Sequence, residues 1–260
     1  MVNRSAVASS WKLALIGLAA GIVGGGLGVG GGIVMVPLLV LVGFDRHRSH
    51  ATSLAAITLI AAVGATSFGV SGQIDMVAGV TVGIGGILGS VIGATVMHRI
   101  SARSLTIIFA FVLLVAAARM ISGGGALAGS AEFADAAKVV IALGIGLVAG
   151  FFAGLAGIGG GVVIVPATVL LLGLTQHQAQ GTSLLAIVFT SVAGTWVNRR
   201  NERVELVDGL MVGLGGVAGS LLGSWIALGI EGRTLSVGFG FLLLFVAVRS
   251  LWRTLRVRAA

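Results

Sequence analysis

The feature that most constrains this chain is a duplicated glycine run. Residues 28–37 read GVGGGIVMVP, and residues 157–166 read GIGGGVVIVP. The correspondence continues beyond the runs, because residues 51–57 and 181–187 read ATSLAAI and GTSLLAI. A register this long indicates two copies of one structural unit. We expect a first transmembrane repeat over 1–121, a Gly-rich linker over 122–139, and a second transmembrane repeat with a basic C-terminal tail over 140–260.

Composition places both copies in a lipid bilayer. The chain is 57% hydrophobic and only 9% charged, whereas a soluble domain carries about 25% charged residues. The charges lie in short clusters between apolar stretches of about 17–22 residues, the length that crosses a hydrocarbon core ~30 Å thick. The net charge of +8 flanks these stretches and forms no stripe with interleaved aromatic residues, so we expect no nucleic-acid partner.

The N-terminus imitates a signal peptide, with Arg4 and Lys12 before an apolar run. This run has a counterpart in the second copy, so we expect it to be retained. The chain contains no Cys, which excludes thiolate metal sites and disulfides. Since no carboxylate stands at ligand spacing from a histidine either, we expect no metal and no cofactor.

The glycine run breaks the first apolar segment of each copy. The piece from Ile33 to Gly43 would span only ~16 Å as a helix, about half the hydrocarbon core. It either continues across the membrane or returns to its starting side as a re-entrant hairpin. The hairpin brings Arg46, Arg48 and Arg103 to the cytoplasmic side with most other basic residues, so the positive-inside rule favours it.

The hairpin interpretation determines the fold class. Each copy then crosses the membrane three times, an odd number, so the two copies must be inverted. We therefore predict an all-α polytopic membrane protein with two inverted repeats, each a glycine-broken re-entrant hairpin plus three transmembrane helices. Both termini are expected in the cytoplasm, at the plasma membrane of a bacterial cell. Inverted repeats with discontinuous helices are typical of secondary transporters.

The glycine runs admit two interpretations, close helix packing or an anion site. In the second, the runs unwind the helix and new half-helices open at Ile33 and Val162, with unsatisfied amides and the positive end of the helix dipole. Two such N-termini facing one another would attract an anion without a basic side chain. The predicted backbone donors are Gly30, Gly31, Gly32, Gly159, Gly160 and Gly161.

Hydroxyl residues and prolines flank these runs at equivalent positions. Thr52, Ser53, Thr182 and Ser183 begin the next apolar segments, where they could cap helices or donate hydrogen bonds to an anion. Pro37 and Pro166 are the only prolines, and we expect them near the first turn of each half-helix, as structural residues that determine its start.

His47 and His177 are equivalent, as are His50 and Gln180. A histidine in a polar loop is commonly just solvated, but two symmetric imidazoles could also couple protons to transport. All eight acidic residues fall in or beside connecting segments, so the sequence has no buried carboxylate relay. The glycines at 85, 89 and 93, repeated at 215, 219 and 223, predict close helix pairing.

The repeated glycine hairpin, the proline nine residues after its first glycine, and the following Ala/Gly-Thr-Ser resemble the sulfite exporter TauE/SafE family. The resemblance covers residues ~11–251 and both copies carry it. It implies a plasma-membrane transporter of sulfite, organosulfonates or related small anions, often by export. The residues themselves indicate only a small anionic substrate.

Three other functions stay open at this point: an anion channel, a non-transporting membrane scaffold, and a membrane-embedded enzyme. An enzyme would need a nucleophile with a base or a metal cluster on the helices, and we expect none. Substrate identity, transport direction, the coupling ion and homo-oligomerisation are not determined by the sequence.

Overall fold

A computed structural model describes residues 10–96, 102–123, 135–156, 160–200 and 206–256. In these ranges the chain forms ten helices and no strand. The first half contains α1 (Ser10–Leu27), α2 (Gly32–Leu41), α3 (Arg46–Val70), α4 (Met76–Val96) and α5 (Ala102–Ser122). The second half contains α6 (Asp135–Ala156), α7 (Gly161–Leu172), α8 (Gln176–Arg200), α9 (Leu206–Gly229) and α10 (Gly232–Arg256).

The all-α prediction is confirmed, and the helices suit a membrane. Within the described ranges, six helices are long and apolar enough to cross a bilayer, namely α1, α3, α4, α6, α9 and α10. Large apolar side chains such as Leu214, Trp225 and Phe241 lie exposed on their outer faces, where lipid would solvate them. The predicted linker over 122–139 falls largely outside the described residues, and α6 already begins within it, at Asp135.

The glycine run separates α1 from α2 and reverses the chain. Gly31 has a φ of +83°, a left-handed conformation that costs glycine little. Its backbone lies against α1, because a Cβ placed on Gly31 would stand 2.5 Å from the Ala20 carbonyl oxygen. Met35 and Leu39 of α2 are buried in one cluster with residues of α1. The two helices therefore form a helical hairpin.

The second half repeats this hairpin. Gly160, with a φ of +73°, precedes α7. A Cβ placed on it would lie 3.5 Å from Ala153 Cβ and 3.6 Å from the Ala149 carbonyl oxygen, both on α6. The helices start one residue earlier than predicted, at Gly32 and Gly161.

The prolines do not lie where the sequence suggested. Pro37 and Pro166 stand inside α2 and α7, in the second turn rather than the first. They therefore do not set the start of the half-helices, which follows the left-handed Gly31 and Gly160. Each proline instead removes the amide that would bond the carbonyl four residues earlier, on Ile33 or Val162.

Capping side chains explain where the long central helices begin. Asp45 accepts a hydrogen bond from the Arg48 amide at 2.9 Å and caps α3. Thr175 and Gln178 form a reciprocal capping box at α8, with bonds of 3.1 and 3.3 Å. The N-capping interpretation of Thr52, Ser53, Thr182 and Ser183 is therefore wrong. These residues lie beyond the first turn of helices that start earlier.

Glycines bring the two halves together backbone to backbone. A Cβ on Gly21 of α1 would lie 2.3 Å from the Gly216 carbonyl oxygen of α9, and one on Gly89 of α4 would lie 2.1 Å from the Leu147 carbonyl oxygen of α6. The predicted role of the glycine series in close helix pairing is thereby confirmed. The pairs α1–α9 and α4–α6 are equivalent, because α6 is the counterpart of α1 and α9 is the counterpart of α4.

The two long central helices, α3 and α8, each pack against a helix of the other half. α3 packs against α9, α8 packs against α4, and the two helices of each pair run parallel. Contacts advance along both chains together, because Gly79, Gly83 and Gly86 of α4 meet Leu185, Phe189 and Thr190 of α8. Likewise Gly209, Gly213 and Gly216 of α9 meet Ala55, Leu59 and Ile60 of α3. The start of α9 therefore lies beside Ala55, more than two turns into α3, and the start of α4 lies beside Leu185, at the equivalent place in α8.

Candidate functional site

The two glycine runs meet in the interior, where Gly28, Val29 and Gly161 are all buried. Gly161 is the first residue of α7. A Cβ placed on it would stand 2.6 Å from the Val29 Cα and 2.7 Å from the Gly28 carbonyl oxygen. The N-terminus of α7 therefore lies directly against the loop that leads into α2. Gly32, where α2 begins, is three residues beyond Val29, which places it within about 11 Å along the chain.

Both half-helices begin with free amide groups. In α2, the amides of Val34 and Met35 donate to the Gly31 carbonyl at 3.1 and 3.0 Å. The preceding amides of Gly32 and Ile33 have no acceptor in the part of the chain that the structure describes. Unsatisfied amides at a helix start carry the positive end of its dipole and favour an anion.

The start of α7 has the same form. The amides of Val163 and Ile164 donate to the Gly160 carbonyl at 2.9 and 3.1 Å, and those of Gly161 and Val162 have no acceptor within the described ranges. The predicted donor Gly159 lies outside the described residues.

Gly30 lies between Ile57 and Ile187, which are equivalent residues of the two halves. A Cβ placed there would lie 3.1 Å from Ile57 Cγ2 and 3.2 Å from Ile187 Cγ2. Ile187 also reaches the start of α7, with its Cδ1 2.9 Å from a Cβ placed on Gly161. The two isoleucines therefore wall the region where the glycine loops meet.

The four predicted hydroxyl donors are fully buried but differ in their partners. Ser183 donates to the Gly28 carbonyl at 2.8 Å and so ties α8 to the first glycine loop. Thr182 accepts from the Asp75 amide at 3.0 Å, at the start of α4. Ser53 donates to the His50 carbonyl on its own helix at 2.8 Å. The Thr52 hydroxyl has no partner among the described residues.

Sequence reasoning did not select Gln180 as a site residue. Its side chain is fully buried, yet neither Nε2 nor Oε1 has a hydrogen-bond partner among the described residues. Its Cα and Cβ stand 2.7 and 2.9 Å from the position of a Cβ on Gly28. The available signal was a glutamine directly before the Gly-Thr-Ser motif, but only burial distinguishes it from a solvated loop residue.

His177 lies apart from the region where the two glycine loops meet. The Nε2 of His177 is 3.0 Å from the Ala227 carbonyl oxygen and 3.1 Å from that of Ile230, at the C-terminal end of α9. A cationic or donor group suits carbonyls at a helix end. The side chain of His47 lies outside the described part of the structure.

Charge is absent from the buried interior of the described ranges. The buried polar residues there are Ser, Thr and Gln, with no Lys, Arg, Asp or Glu among them. In the same ranges, no three His, Asp or Glu side chains come close enough to hold a metal ion. Any ligand between the glycine loops would therefore meet neutral dipoles.

A polytopic helical bundle whose two halves meet at broken helices defines a multi-pass membrane protein of transporter type. The chain belongs to the sulfite exporter TauE/SafE family, whose model matches residues 2–120 and 142–260. The resemblance noted from the repeated hairpin is thus confirmed, and the protein is a membrane transporter of this family.

Named relatives support the same class. A "Probable membrane transporter protein" of Xylella fastidiosa (strain Temecula1) is 26% identical over 263 residues, which cover 98% of each chain. The "Probable membrane transporter protein YunE" of Bacillus subtilis is 34% identical over 116 residues, 42% of each chain. YdhB of the same organism is 29% identical over 188 residues, 69% of this chain and 73% of its own. No solved structure matches the chain.

Proposed function

We propose that the protein is a secondary transporter that exports a small anion across the plasma membrane. The observation that carries this proposal is the contact of Gly161, at the start of α7, with Gly28 and Val29 of the other glycine loop. Free amides and helix dipoles from both half-helices converge on this region and favour negative charge. The family description, sulfite exporter, supports sulfite, an organosulfonate or a related sulfur oxyanion as the substrate.

The proposed membrane arrangement has inverted repeats with both termini in the cytoplasm. Helix direction supports it, because α3 runs parallel to α9 and α4 runs parallel to α8. If each half crossed the membrane an even number of times, α3 and α9 would cross in opposite directions. Parallel pairs therefore support an odd number of crossings per half, as a re-entrant α1–α2 hairpin followed by three spans would give.

This arrangement suits alternating access around a fixed site. In inverted-repeat transporters, substrates bind near the bilayer midplane at the start of discontinuous helices, and the two repeats rock against one another. Here the free backbone donors would be Gly31 and Gly32 with their equivalents at 160–161, assisted by Thr52. The predicted donors Gly30 and Ser183 are already engaged, because the Gly30 amide donates to the Gly24 carbonyl at 3.2 Å and the Ser183 hydroxyl to that of Gly28. His47 and His177 are the proposed route for coupling protons to transport.

The decisive experiment places a tethered negative charge at the start of α7. Gly160 suits it, because a Cβ there has no neighbour closer than 3.5 Å, and Asn and Asp tolerate its left-handed conformation better than other residues. Gly31 is unsuitable for this substitution, because any side chain there would collide with the Ala20 carbonyl. Gly160→Asp should occupy the positive region and abolish sulfite flux in proteoliposomes.

Gly160→Asn is the matched control. It has the same shape without the charge, so it should fold and retain more flux than Gly160→Asp, although its side-chain oxygen can also accept from the free amides. Undiminished flux in a folded Gly160→Asp variant would contradict a site based on positive helix ends. Electrical recording of the reconstituted protein distinguishes a carrier, whose flux saturates at low turnover, from an anion channel.

A further inference from the structure

Two glutamines on α8 are buried without hydrogen-bond partners. Gln180 is 0% exposed and Gln176 is 7% exposed. In the described structure, none of their four side-chain nitrogen and oxygen atoms has a partner. Buried polar groups are nearly always hydrogen-bonded in native proteins, and the exceptions commonly bond a ligand or water. An amide buried without a partner destabilises the fold, so this pair calls for an explanation.

The glutamines share one face of α8 with the residue that holds the glycine loop. Positions 176, 180 and 183 have the i, i+4, i+7 spacing of a single helix face. Ser183 donates to the Gly28 carbonyl, and the Gln180 Cβ lies against Gly28. The same carbonyl oxygen lies beside Gly161, the first residue of α7. Gln180 therefore stands next to the converging helix starts, with Gln176 one turn nearer the beginning of α8.

The repeat shows that the fold does not require these amides. The equivalent positions in the first half are Arg46 and His50. A helix in the same position is thus built with different polar residues. The His50 Nδ1 is buried as well, so a buried polar group at this position occurs in both halves, whereas the amides themselves occur only in the second.

We propose that Gln180 binds the transported anion and that Gln176 lines its path along α8. This neutral site takes singly charged sulfur oxyanions in preference to doubly charged ones. The proposal rests on the proposed function. Amide N–H groups donate to an oxyanion without adding charge. The cost of moving an ion out of water rises with the square of its charge, and the described interior offers no Lys or Arg to offset it.

The first test replaces Gln180 by Met, which has a similar length and no hydrogen-bonding demand. Without ligand, Gln180→Met should unfold at a higher temperature than the wild type, because a buried unpaired amide is removed. Its affinity for methanesulfonate, measured by ligand-induced thermal shift and by inhibition of flux, should fall at least about tenfold, equivalent to ~1.4 kcal/mol.

Gln178→Met is the matched control on the same helix. Gln178 is bonded to Thr175 in the capping box, so this substitution should lower the unfolding temperature and leave methanesulfonate affinity unchanged. Gln176→Met is a second variant and should weaken binding less than Gln180→Met. Retained affinity in a folded Gln180→Met protein would overturn the assignment.

The second test uses two anions that share a tetrahedral sulfur centre and differ by one charge. Methanesulfonate should raise the unfolding temperature of the wild type and compete with sulfite flux, whereas sulfate should do neither at the same concentration and ionic strength. Stronger binding of sulfate would refute the charge preference. A wild type without any anion flux would refute the proposed function itself, whereas normal flux in Gln180→Met would refute only the role of the glutamine.

Discussion

Gly85 and Gly146 lie so close that a Cβ on Gly146 would stand 2.9 Å from the Gly85 Cα. The same Cβ would be 2.3 Å from the Val82 carbonyl oxygen. This contact joins α4 of the first half to α6 of the second. Since backbone atoms cannot move aside as a flexible side chain can, even one methyl group must separate the helices.

Gly146→Ala should therefore destabilise the protein by about 1–3 kcal/mol, the usual cost of overpacking. Gly144 lies on the same helix, and a Cβ there has no neighbour within 4 Å. Gly144→Ala should stabilise the protein by up to ~1 kcal/mol, because alanine favours the helix. Thermal unfolding in detergent compares the two variants. Similar behaviour of both would contradict the glycine contact.

Ile57 and Ile187 should be energetically coupled, because both contact the position of Gly30. Ile57→Ala and Ile187→Ala, which remove the Cγ2 methyl groups that face Gly30, should each cost about 2–5 kcal/mol. In the double variant the two costs should differ from their sum by at least ~0.5 kcal/mol, as for residues that share a contact. A strictly additive double-mutant cycle would show that the two sites are independent.

The proposed inverted arrangement predicts which residues a membrane-impermeant reagent can label from outside the cell. The chain has no cysteine, so Ser71→Cys, at the exposed C-cap of α3, introduces a single thiol. In the hairpin topology this thiol lies outside the cell and should react with a membrane-impermeant maleimide in intact cells. Glu231→Cys, exposed between α9 and α10, lies outside in either topology and is the positive control. Protection of Ser71→Cys with labelling of Glu231→Cys would exclude the re-entrant hairpin.

The proposed proton coupling through His177 can be tested separately from the structural role of this residue. His177→Gln keeps a donor for the carbonyls of Ala227 and Ile230, so stability should change by less than ~1 kcal/mol. Glutamine does not titrate, so the part of anion flux driven by a pH gradient should be lost while anion exchange continues. Gradient-driven flux equal to that of the wild type would remove His177 from the coupling route.

Much of the architecture was predictable because glycine and apolar length are local signals. The glycine runs ended α1 and α6 as expected, and the series at 85–93 and 215–223 marked the close helix contacts. The helix starts were less accurate. Thr175 and Gln178 form a T-x-x-Q capping box that is visible in the sequence, whereas the hydroxyls several residues later lie inside α8 and cap no helix.

The site was only partly predictable because burial is a property of the whole fold. Gln180 follows other polar residues at 176–178 and resembles a loop residue until α8 is seen to begin at Gln176. The partners of Ser183 and Thr182 likewise depend on contacts between the halves. Pro37 and Pro166 lie in the second turn rather than the first because the left-handed glycines, and not the prolines, determine where the half-helices start.

The pairing of α1 in the first half with α9 in the second has a consequence for biosynthesis. α1 enters the membrane first, but its glycine face is completed only when Gly216 and its neighbours on α9 arrive near the end of translation. Until then a groove of bare backbone must persist in lipid, with no chain segment to fill it. Nascent chains halted before α9 should therefore be protease-sensitive, and separately expressed halves should be recovered only when they are produced together.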